Sequence, residues 1–172
     1  MARTGDPSAF EALVEPRVVP MTRTAMAILG SEADARDAVQ DALVMAWREL
    51  ASLRDPDAFD AWLTRILVNR CKRGLRGVAT RRVREVPVDA LTGTAEPGSP
   101  DSASASLERR ALERAFERLS IDERTLLVLH HLEGRSLESI AAVLKVPTGT
   151  AKSRLHAARK ALEKALEREG AR

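Results

Sequence analysis

Apolar residues recur every three or four positions through much of the chain, which is the spacing of one face of an α-helix. Ser31 with Asp34 three residues later is typical of a helix N-terminus, and so is Asp55 followed by proline. These signals predict two helices in the first half of the chain. Their apolar positions are Ala35, Val39, Leu43, Ala46, Trp47 and Leu50 in the first, and Phe59, Leu63, Ile66 and Leu67 in the second.

Another helical pattern precedes these two and begins at Phe10, Leu13 and Val14. Pro16 and Pro20 lie within it. Because proline lacks an amide hydrogen and clashes with the preceding helical turn, we expect two short helices there.

The last third of the chain repeats the helical pattern. Ser120 and Glu123 form a capping box, and Ser136 is the N-cap of a shorter helix. A turn at 145–147 separates that helix from a final one, as in a helix-turn-helix. The expected inward positions are Leu107, Ala111, Leu112, Ala115, Phe116 and Leu119, then Leu137, Ile140, Ala141 and Leu144, then Ala151, Leu155, Ala158, Leu162 and Ala165.

Residues 85–106 lack an apolar period and contain three prolines, two glycines and four serines. Such a composition is typical of a flexible linker. We therefore predict an all-α fold of two small helical domains, residues 1–84 and 107–172, joined by a flexible acidic linker and with the helix-turn-helix in the second domain.

Composition narrows the class of protein. The aromatic fraction is 3% and β-branched residues are few, which favours helices over strands. A single cysteine and three histidines argue against a disulfide framework and a structural metal centre. We expect no bound cofactor. The sequence has no signal-peptide pattern and no apolar run of eighteen residues, so we expect a cytoplasmic protein without membrane insertion.

The sequence offers little evidence of catalytic residues. No carboxylate pairs with a histidine or nucleophile in a recognisable arrangement, and no glycine-rich loop could cradle a phosphate, so we expect no enzyme. Adjacent His130 and His131 point about 100° apart on a helix and cannot share one metal ion. We expect one to be partly buried and the other exposed. Cys71 lies among basic residues, where a lowered thiol pKa is conceivable, but an inert cysteine is the favoured interpretation.

The net charge of +3 is mild, but its distribution is not. Residues 31–60 carry a net charge of −5, whereas 62–84 hold eight basic residues and no acid. Residues 85–106 hold four acids and no base, and 147–162 hold four bases and no acid. Surface helices normally mix signs for i,i+4 pairing, so two purely basic blocks favour contact with a polyanion at two places. Solvated helix faces are the alternative interpretation.

Opposite the apolar face of the last helix stand Lys152, Ser153, His156 and Arg159. Cations and small hydrogen-bonding groups near the N-terminus of such a helix suit base edges and phosphates in the major groove. A helical hairpin with no ligand would also need a polar outer face, so the pattern alone leaves both interpretations open.

Three stretches resemble one protein family. Residues 136–155, SLESIAAVLKVPTGTAKSRL, closely resemble the DNA-binding signature of the fourth conserved domain of bacterial RNA polymerase sigma factors. Residues 34–47, DARDAVQDALVMAW, and 61–69, AWLTRILVN, resemble the second conserved domain of the extracytoplasmic-function group. The stretches occur in the family's order and extend over nearly the whole chain.

This resemblance implies a sigma factor that binds core RNA polymerase, directs it to promoter DNA and assists strand opening, with regulation by an anti-sigma factor. It implies polymerase binding through Asp34, Asp37, Gln40 and Asp41. It implies minus-ten binding through the loop 52–59 and through Arg65, Asn69, Arg70, Lys72, Arg73 and Arg76, with a flipped base near Asn69. It implies minus-thirty-five binding through Lys152, Ser153, Arg154, His156 and Arg159.

Some residues depart from the family's pattern. Ala157 stands where an arginine is common, so a phosphate or base contact is in doubt, and Ala151 replaces a β-branched residue.

We expect Trp47 and Trp62 to belong to the core, which would leave strand opening to base capture more than to stacking and make promoter dependence strict. The acidic linker either imitates a nucleic-acid strand or is merely solvated.

Two other functions compete with this interpretation. The first is a helix-turn-helix transcription regulator that acts without binding the polymerase core. The second is a helical hydrolase that uses surface carboxylates, for which the sequence offers no triad.

Overall fold

The computed structural model describes the backbone of residues 6–82 and 100–170, and the side chains of 6–74 and 107–170. The helices are α1 (Pro7–Leu29), α2 (Glu32–Glu49), α3 (Phe59–Arg82), α4 (Pro100–Glu117), α5 (Ile121–Leu127), α6 (Leu137–Leu144) and α7 (Thr148–Gly170). Short 3-10 turns precede α3, and a π turn, Val128–Leu132, follows α5. The described residues contain no strand, which confirms the all-α prediction.

The N-terminal helix differs from its prediction. In place of two short helices, α1 is continuous through Pro16 and Pro20. Each internal proline costs about 3 kcal/mol or more in a helix, but burial of the α1 face against α2 and α3 outweighs this cost. The buried face comprises Val14, Met21, Thr24, Ala25, Ile28 and Leu29.

The predicted start signals of α2, α5 and α6 are confirmed. The Ser31 hydroxyl accepts from the Asp34 amide at 3.3 Å, and Ser136 accepts from the Ser139 amide at 3.2 Å. At α5 the capping box is complete, because the Glu123 carboxylate also accepts from the Ser120 amide at 2.8 Å. Side-chain oxygens thus satisfy helix N-terminal amides that would otherwise lack partners.

Helix α4 begins at Pro100, within the range 85–106 that the sequence predicts as a linker. A linker over the whole range is therefore wrong at its C-terminal end: proline is tolerated at the first helical position, and the serines and alanines that follow it can be helical without any apolar period. Residues 83–99 lie outside the described residues, and so does the proposed imitation of a nucleic-acid strand.

We call α1–α3 the N-terminal lobe and α4–α7 the C-terminal lobe. Within the first, α2 packs on α1 and α3, and within the second, α7 packs on α4, α5 and α6. The two lobes also pack together, because α1 contacts α5, and α3 contacts both α5 and α6. Their buried side chains, among them Ile28, Leu67, Leu129 and Ile140, belong to one hydrophobic cluster. The sequence predicted two domains but gave no sign of this contact.

Most predicted inward positions of α7 and α3 are buried. For three residues of α2 and α4, the prediction of burial is wrong. Trp47 is 37% exposed and packs edge-on against Phe10, with ring centroids 5.1 Å apart, whereas Trp62 is buried as expected. Leu107 and Leu112 of α4 are 65% and 46% exposed. The α4 pattern continues past the surface that α7 can cover, so its helical period overstates its burial.

Candidate nucleic-acid interface

The α6–α7 unit has the backbone of a helix-turn-helix. Lys145 adopts the left-handed conformation at φ 53°, which ends α6 and turns the chain sharply. The Val146 amide then donates to the Ala141 carbonyl at 3.0 Å, and the Ala151 amide to the Pro147 carbonyl. Buried Leu155 anchors α7 on the lobe, so the opposite face of α7 is directed to solvent.

All five predicted minus-thirty-five residues are exposed. They are Lys152, Ser153, Arg154, His156 and Arg159. The Ser153 hydroxyl donates to the Thr150 carbonyl at 3.0 Å and so keeps acceptor capacity toward a ligand. Neither Lys152 nor Arg154 has a carboxylate within ion-pair distance among the described residues. The face can therefore offer its cations to a polyanion without breaking a salt bridge.

Arg159 has one neighbour on another helix. Its Nε lies 3.3 Å from Nε2 of His131, in donor geometry. Desolvation by the neighbouring side chains, and then the charges of Arg159 and His130, lower the pKa of His131. A lowered pKa favours the neutral imidazole, whose Nε2 can accept this hydrogen bond.

The predicted minus-ten residues on α3 differ from one another in exposure and in ion pairing. Asn69, the single asparagine of the chain, and Arg73 are exposed, whereas Arg65 is half-buried. The Arg70 side chain is 19% exposed, with its Nη1 3.9 Å from the Asp41 carboxylate. The Lys72 side chain is 24% exposed, with its Nζ 2.6 Å from the Asp122 carboxylate of α5. The side chain of Arg76 lies outside the described residues.

The predicted polymerase-binding residues share the outer part of α2. Asp37, Gln40 and Asp41 are exposed, whereas Asp34 is half-buried beside the helix N-terminus. Acidic side chains near that terminus are favoured by the helix dipole, so part of this negative charge also stabilises α2.

Two minor predictions about titratable residues are resolved. Cys71 is fully buried, and burial raises the pKa of its thiol to about 12, as expected for an inert cysteine. His130 is half-buried, with Nδ1 3.1 Å from the Arg135 carbonyl, and His131 is exposed, as predicted. The described residues hold no group of three or more side chains suited to bind a metal ion.

Sequence reasoning missed three charged residues at the contact between the lobes, namely Asp122, Glu133 and Arg135. They belong to the stretch 107–146, in which seven acids and seven bases cancel. A neutral stretch gives no sequence signal of pairing across the fold, so these contacts became visible only in three dimensions.

Comparison with known proteins fits this geometry. Residues 13–82 match the family described as sigma-70 region 2, and residues 109–162 match sigma-70 region 4. The chain is 33% identical over 174 residues to the RNA polymerase sigma-H factor of Pseudomonas aeruginosa. It is 35% identical over 172 residues to the ECF RNA polymerase sigma-E factor of Escherichia coli K12. Both alignments cover 95% of this chain and 89% of the relative.

Two solved structures have a similar fold. The sigma factor RpoE from Bartonella quintana, in complex with the anti-sigma factor NepR, gives a TM-score of 0.68 at 27% identity, with 92% of this chain and 97% of that chain covered. CnrH in complex with the cytosolic domain of CnrY gives 0.66 at 28% identity, with 96% and 92% covered.

The fold and the two matched regions define a transcription initiation factor of the sigma-70 class. The chain belongs to the extracytoplasmic-function group of RNA polymerase sigma factors, which confirms the resemblance. As a sigma factor it acts with core RNA polymerase at promoter DNA. A regulator that uses the helix-turn-helix alone is not favoured, because it leaves the region 2 match unexplained. No helix among the described residues is long and apolar enough to cross a membrane.

Proposed function

We propose that this sigma factor works in the cytoplasm without enzymatic activity of its own and uses three separate surfaces. Residues 1–84 contain the domain that docks on core polymerase and binds the minus-ten element, and residues 107–172 contain the domain that binds the minus-thirty-five element. The observation that carries the proposal is α7, which presents five exposed polar or cationic residues on the outer helix of a helix-turn-helix.

On this proposal α7 enters the major groove of the minus-thirty-five element. Its first turns carry Lys152, Ser153 and His156, which are within reach of base edges, while Arg154 and Arg159 extend toward phosphates. Cations supply most of the affinity by releasing counterions, and the hydrogen-bonding groups supply discrimination between bases.

The proposed minus-ten surface is α3 with the turn that precedes it. Asn69 is exposed on α3 and carries both a donor and an acceptor, so its amide can read the edge of a flipped base. Arg65, Arg70, Lys72, Arg73 and Arg76 are placed along the same helix, where cations would follow the phosphates. Trp62 is buried and Phe59 is 6% exposed, so neither is available to stack on a base. The Asn69 amide is the candidate for base capture.

The proposed polymerase surface is the outer face of α2. Asp37, Gln40 and Asp41 are exposed there, and α2 packs through its inner face on α1 and α3. This arrangement leaves carboxylates directed outward toward a basic partner, while Ala35, Ala38 and Ala42 are buried beneath them.

An in vitro transcription assay tests the proposal. Full-length protein is mixed with core polymerase, and run-off transcripts are sequenced from a pool of cloned promoter fragments. We expect co-purification with core and transcripts that start at defined sites. The double variant Asp37→Asn/Asp41→Asn should weaken binding to core, whereas Glu11→Gln, an exposed carboxylate on α1, should not. Absence of both core binding and specific transcripts would sink the proposal.

Asn69→Ala tests base capture separately. The variant should retain closed-complex binding but lose strand opening, measured by permanganate reactivity of unpaired thymines. Gln40→Ala removes an amide from α2 and serves as the matched control, since it should change core binding and leave opening unaffected once core is saturated. Equal losses of closed binding and opening in Asn69→Ala would contradict the role in base capture.

We further propose an anti-sigma partner, supported by the fold shared with RpoE in its complex with NepR. A groove of about 900 Å³ between α1, α4, α5 and α7 is the candidate surface. Its lining includes Met26, Leu112, Leu132 and Leu166, which are exposed apolar side chains, and such patches mark protein contacts. Leu112→Glu should abolish capture by an anti-sigma factor that binds the unmodified protein and leave helicity unchanged, and capture that persists would refute this surface.

A further inference from the structure

The Arg159 side chain of α7 is held by a residue of another element. Its Nε donates to Nε2 of His131 at 3.3 Å, and His131 belongs to the π turn that follows α5. The two residues are 28 positions apart in the sequence, and both are exposed. The contact therefore connects the proposed DNA-binding helix to a turn that lies outside the helix-turn-helix.

Arg159 does not pair with the carboxylate that its own helix offers. Glu163 lies four positions further along α7, and ion pairs at that spacing are common on helix surfaces. Both residues line the same groove, but no carboxylate lies within 4.0 Å of Arg159 among the described residues. The guanidinium is thus directed toward the π turn, where its hydrogen-bond acceptor is an imidazole.

Two features of the π turn support the ring of His131. The adjacent His130 ring meets it edge to face, with ring centroids 4.8 Å apart, and His130 Nδ1 lies 3.1 Å from the Arg135 carbonyl. Val128 is buried in the core, and the Glu133 amide closes the turn by donating to the Val128 carbonyl at 3.1 Å. A ring carried by a turn that is anchored in this way is a firm support for a long arginine side chain.

The direction of the hydrogen bond determines the charge of His131. Guanidinium nitrogens only donate, so Nε2 of His131 must be the acceptor and the ring proton must lie on Nδ1. The imidazole in this contact is therefore uncharged. A neutral acceptor holds the guanidinium but leaves its positive charge uncompensated. Lys72 shows the contrasting case, because Asp122 places a carboxylate oxygen 2.6 Å from its Nζ.

The hydrogen bond leaves the outer edge of the guanidinium free. Arg159 carries donors on Nε, Nη1 and Nη2, and His131 accepts from Nε. The two Nη atoms form an edge that can bind a phosphate through two parallel hydrogen bonds. A side chain that is already held in place loses less conformational freedom when it binds, so the contact with His131 favours the binding of DNA by Arg159.

We propose that His131 is a positioning residue of the minus-thirty-five surface, which holds Arg159 through a neutral hydrogen bond and orients its Nη edge toward a DNA phosphate. The inference rests on the proposed function, since it takes Arg159 as a phosphate contact. His131 itself makes no contact with DNA in this arrangement and contributes to affinity through Arg159 alone. That dependence separates a positioning residue from a direct DNA contact and from a residue that only stabilises the fold.

The hydrogen bond is tested first without DNA, by nitrogen NMR of the His131 ring in the full-length protein at about pH 8, where imidazole is neutral. We expect a proton on Nδ1 and none on Nε2. In Arg159→Ala the donor is gone, so protons should redistribute toward Nε2. Leu107→Ala truncates an exposed side chain of α4 in the same lobe and should leave the tautomer unchanged. A His131 ring protonated at Nε2 in the unmodified protein would overturn the contact.

The second test is affinity for a fluorescent duplex of about 30 base pairs that the unmodified protein has enriched from a random pool. Anisotropy is measured at about pH 8 and 0.1 M salt. Arg159→Ala should weaken binding about eightfold through the loss of one phosphate contact. His131→Ala should weaken it about threefold, because Arg159 is then free to move, and should leave the salt dependence unchanged. Adding His131→Ala to Arg159→Ala should have no further effect.

Two other substitutions of His131 separate the hydrogen bond from its neutrality. His131→Gln keeps a neutral acceptor near the position of Nε2 and should retain the unmodified affinity. His131→Glu keeps an acceptor but places a negative charge beside Arg159. It should weaken binding about eightfold and lower the slope of log K against log salt by about 0.9. Equal losses in the glutamine and alanine variants would overturn the positioning role, and circular dichroism verifies that each variant is folded.

Failure of the inference and failure of the proposed function give different results. If Arg159→Ala weakens binding and His131→Ala does not, Arg159 is a DNA contact and only the inference is overturned. If His131→Ala still weakens binding in the Arg159→Ala background, His131 acts independently of Arg159 and is not a positioning residue. If Arg159→Ala leaves the affinity unchanged, the proposed role of Arg159 has failed first, and the inference fails with it.

Discussion

The two basic blocks look alike in sequence and differ in the folded protein. Both run without an acidic residue, over 62–84 and over 147–162. On α7 the cations are exposed, and none has a carboxylate within 4.0 Å among the described residues. On α3, Lys72 and Arg70 are largely covered, with carboxylates from α5 and α2 at 2.6 and 3.9 Å. A block of like charges therefore identifies a surface that can bind a polyanion, while the fold determines whether that surface is available.

The largest effect is expected from removing the α7 cations. In Lys152→Ala/Arg154→Ala/Arg159→Ala, three phosphate contacts would be lost, which lowers affinity for duplex promoter DNA by about two to three orders of magnitude at 0.1 M salt. The slope of log K against log salt should fall by about 2.7. The triple variant Lys160→Ala/Lys164→Ala/Arg168→Ala removes the same charge from the rest of α7 and should change affinity far less. Equal losses would show that net charge matters and that position does not.

Adding a cation to α7 should have the opposite effect on DNA affinity. Ala157 is exposed, so Ala157→Arg needs no repacking and restores a residue that the family commonly has there. One further phosphate contact should tighten duplex binding up to about eightfold at 0.1 M salt. Ala12→Arg, an exposed position on α1, adds the same charge and should leave affinity unchanged, as measured by salt-dependent fluorescence anisotropy. Equal tightening by both variants would contradict a contact at 157.

A smaller difference in DNA affinity is expected between alanine variants of two neighbouring residues on α3. Arg73 is exposed and Lys72 is already paired, so in the full-length protein Arg73→Ala should lose about fivefold in affinity for a single-stranded oligonucleotide, and Lys72→Ala clearly less. Titrations at 0.1 M salt compare the two. Matching losses would mean that Asp122 does not compete with DNA for Lys72.

Local signals predicted most of the fold. The Ser31, Ser120 and Ser136 caps and the apolar stripe of α7 could be read directly, because caps and helical periods depend on residues a few positions apart. The continuity of α1 through Pro16 could not, since it depends on packing against helices far along the chain. The exposure of Trp47 could not be predicted either. A helical period shows which residues share a helix face, but it does not show whether another element covers that face.

The candidate site divides in a similar way. The family resemblance supplied residue types and positions, and the structure brings the α7 set together on one exposed face. The family resemblance could not supply the partner of Lys72. That partner is Asp122, 50 positions away in a stretch of zero net charge. Contacts between lobes leave no local period or composition to read. Such contacts are therefore the part of the fold least accessible from sequence.

The mildest expected effect concerns how α7 is held in place to present its cations. The Glu169 carboxylate near the C-terminus of α7 has a 2% exposed side chain. It accepts from Arg114 of α4 at 2.7 Å and from Arg118, directly after α4, at 2.5 Å. These hydrogen bonds lower the pKa of Glu169 below its ordinary 4.5. A carboxyl whose folded pKa is lowered adds stability above its unfolded pKa and loses it as pH falls through the folded one.

Glu169→Gln should therefore lower the melting temperature by a few degrees at about pH 7, and the difference from the unmodified protein should shrink below about pH 4.5. Thermal unfolding followed by circular dichroism from pH 7 to 3 measures it. Glu167→Gln, an exposed neighbour, should show no such dependence. A difference that stays constant with pH would mean that Glu169 acts through packing alone. A difference that vanishes on acidification ties the anchoring of α7 to ionised Glu169 and makes its display of cations dependent on α4.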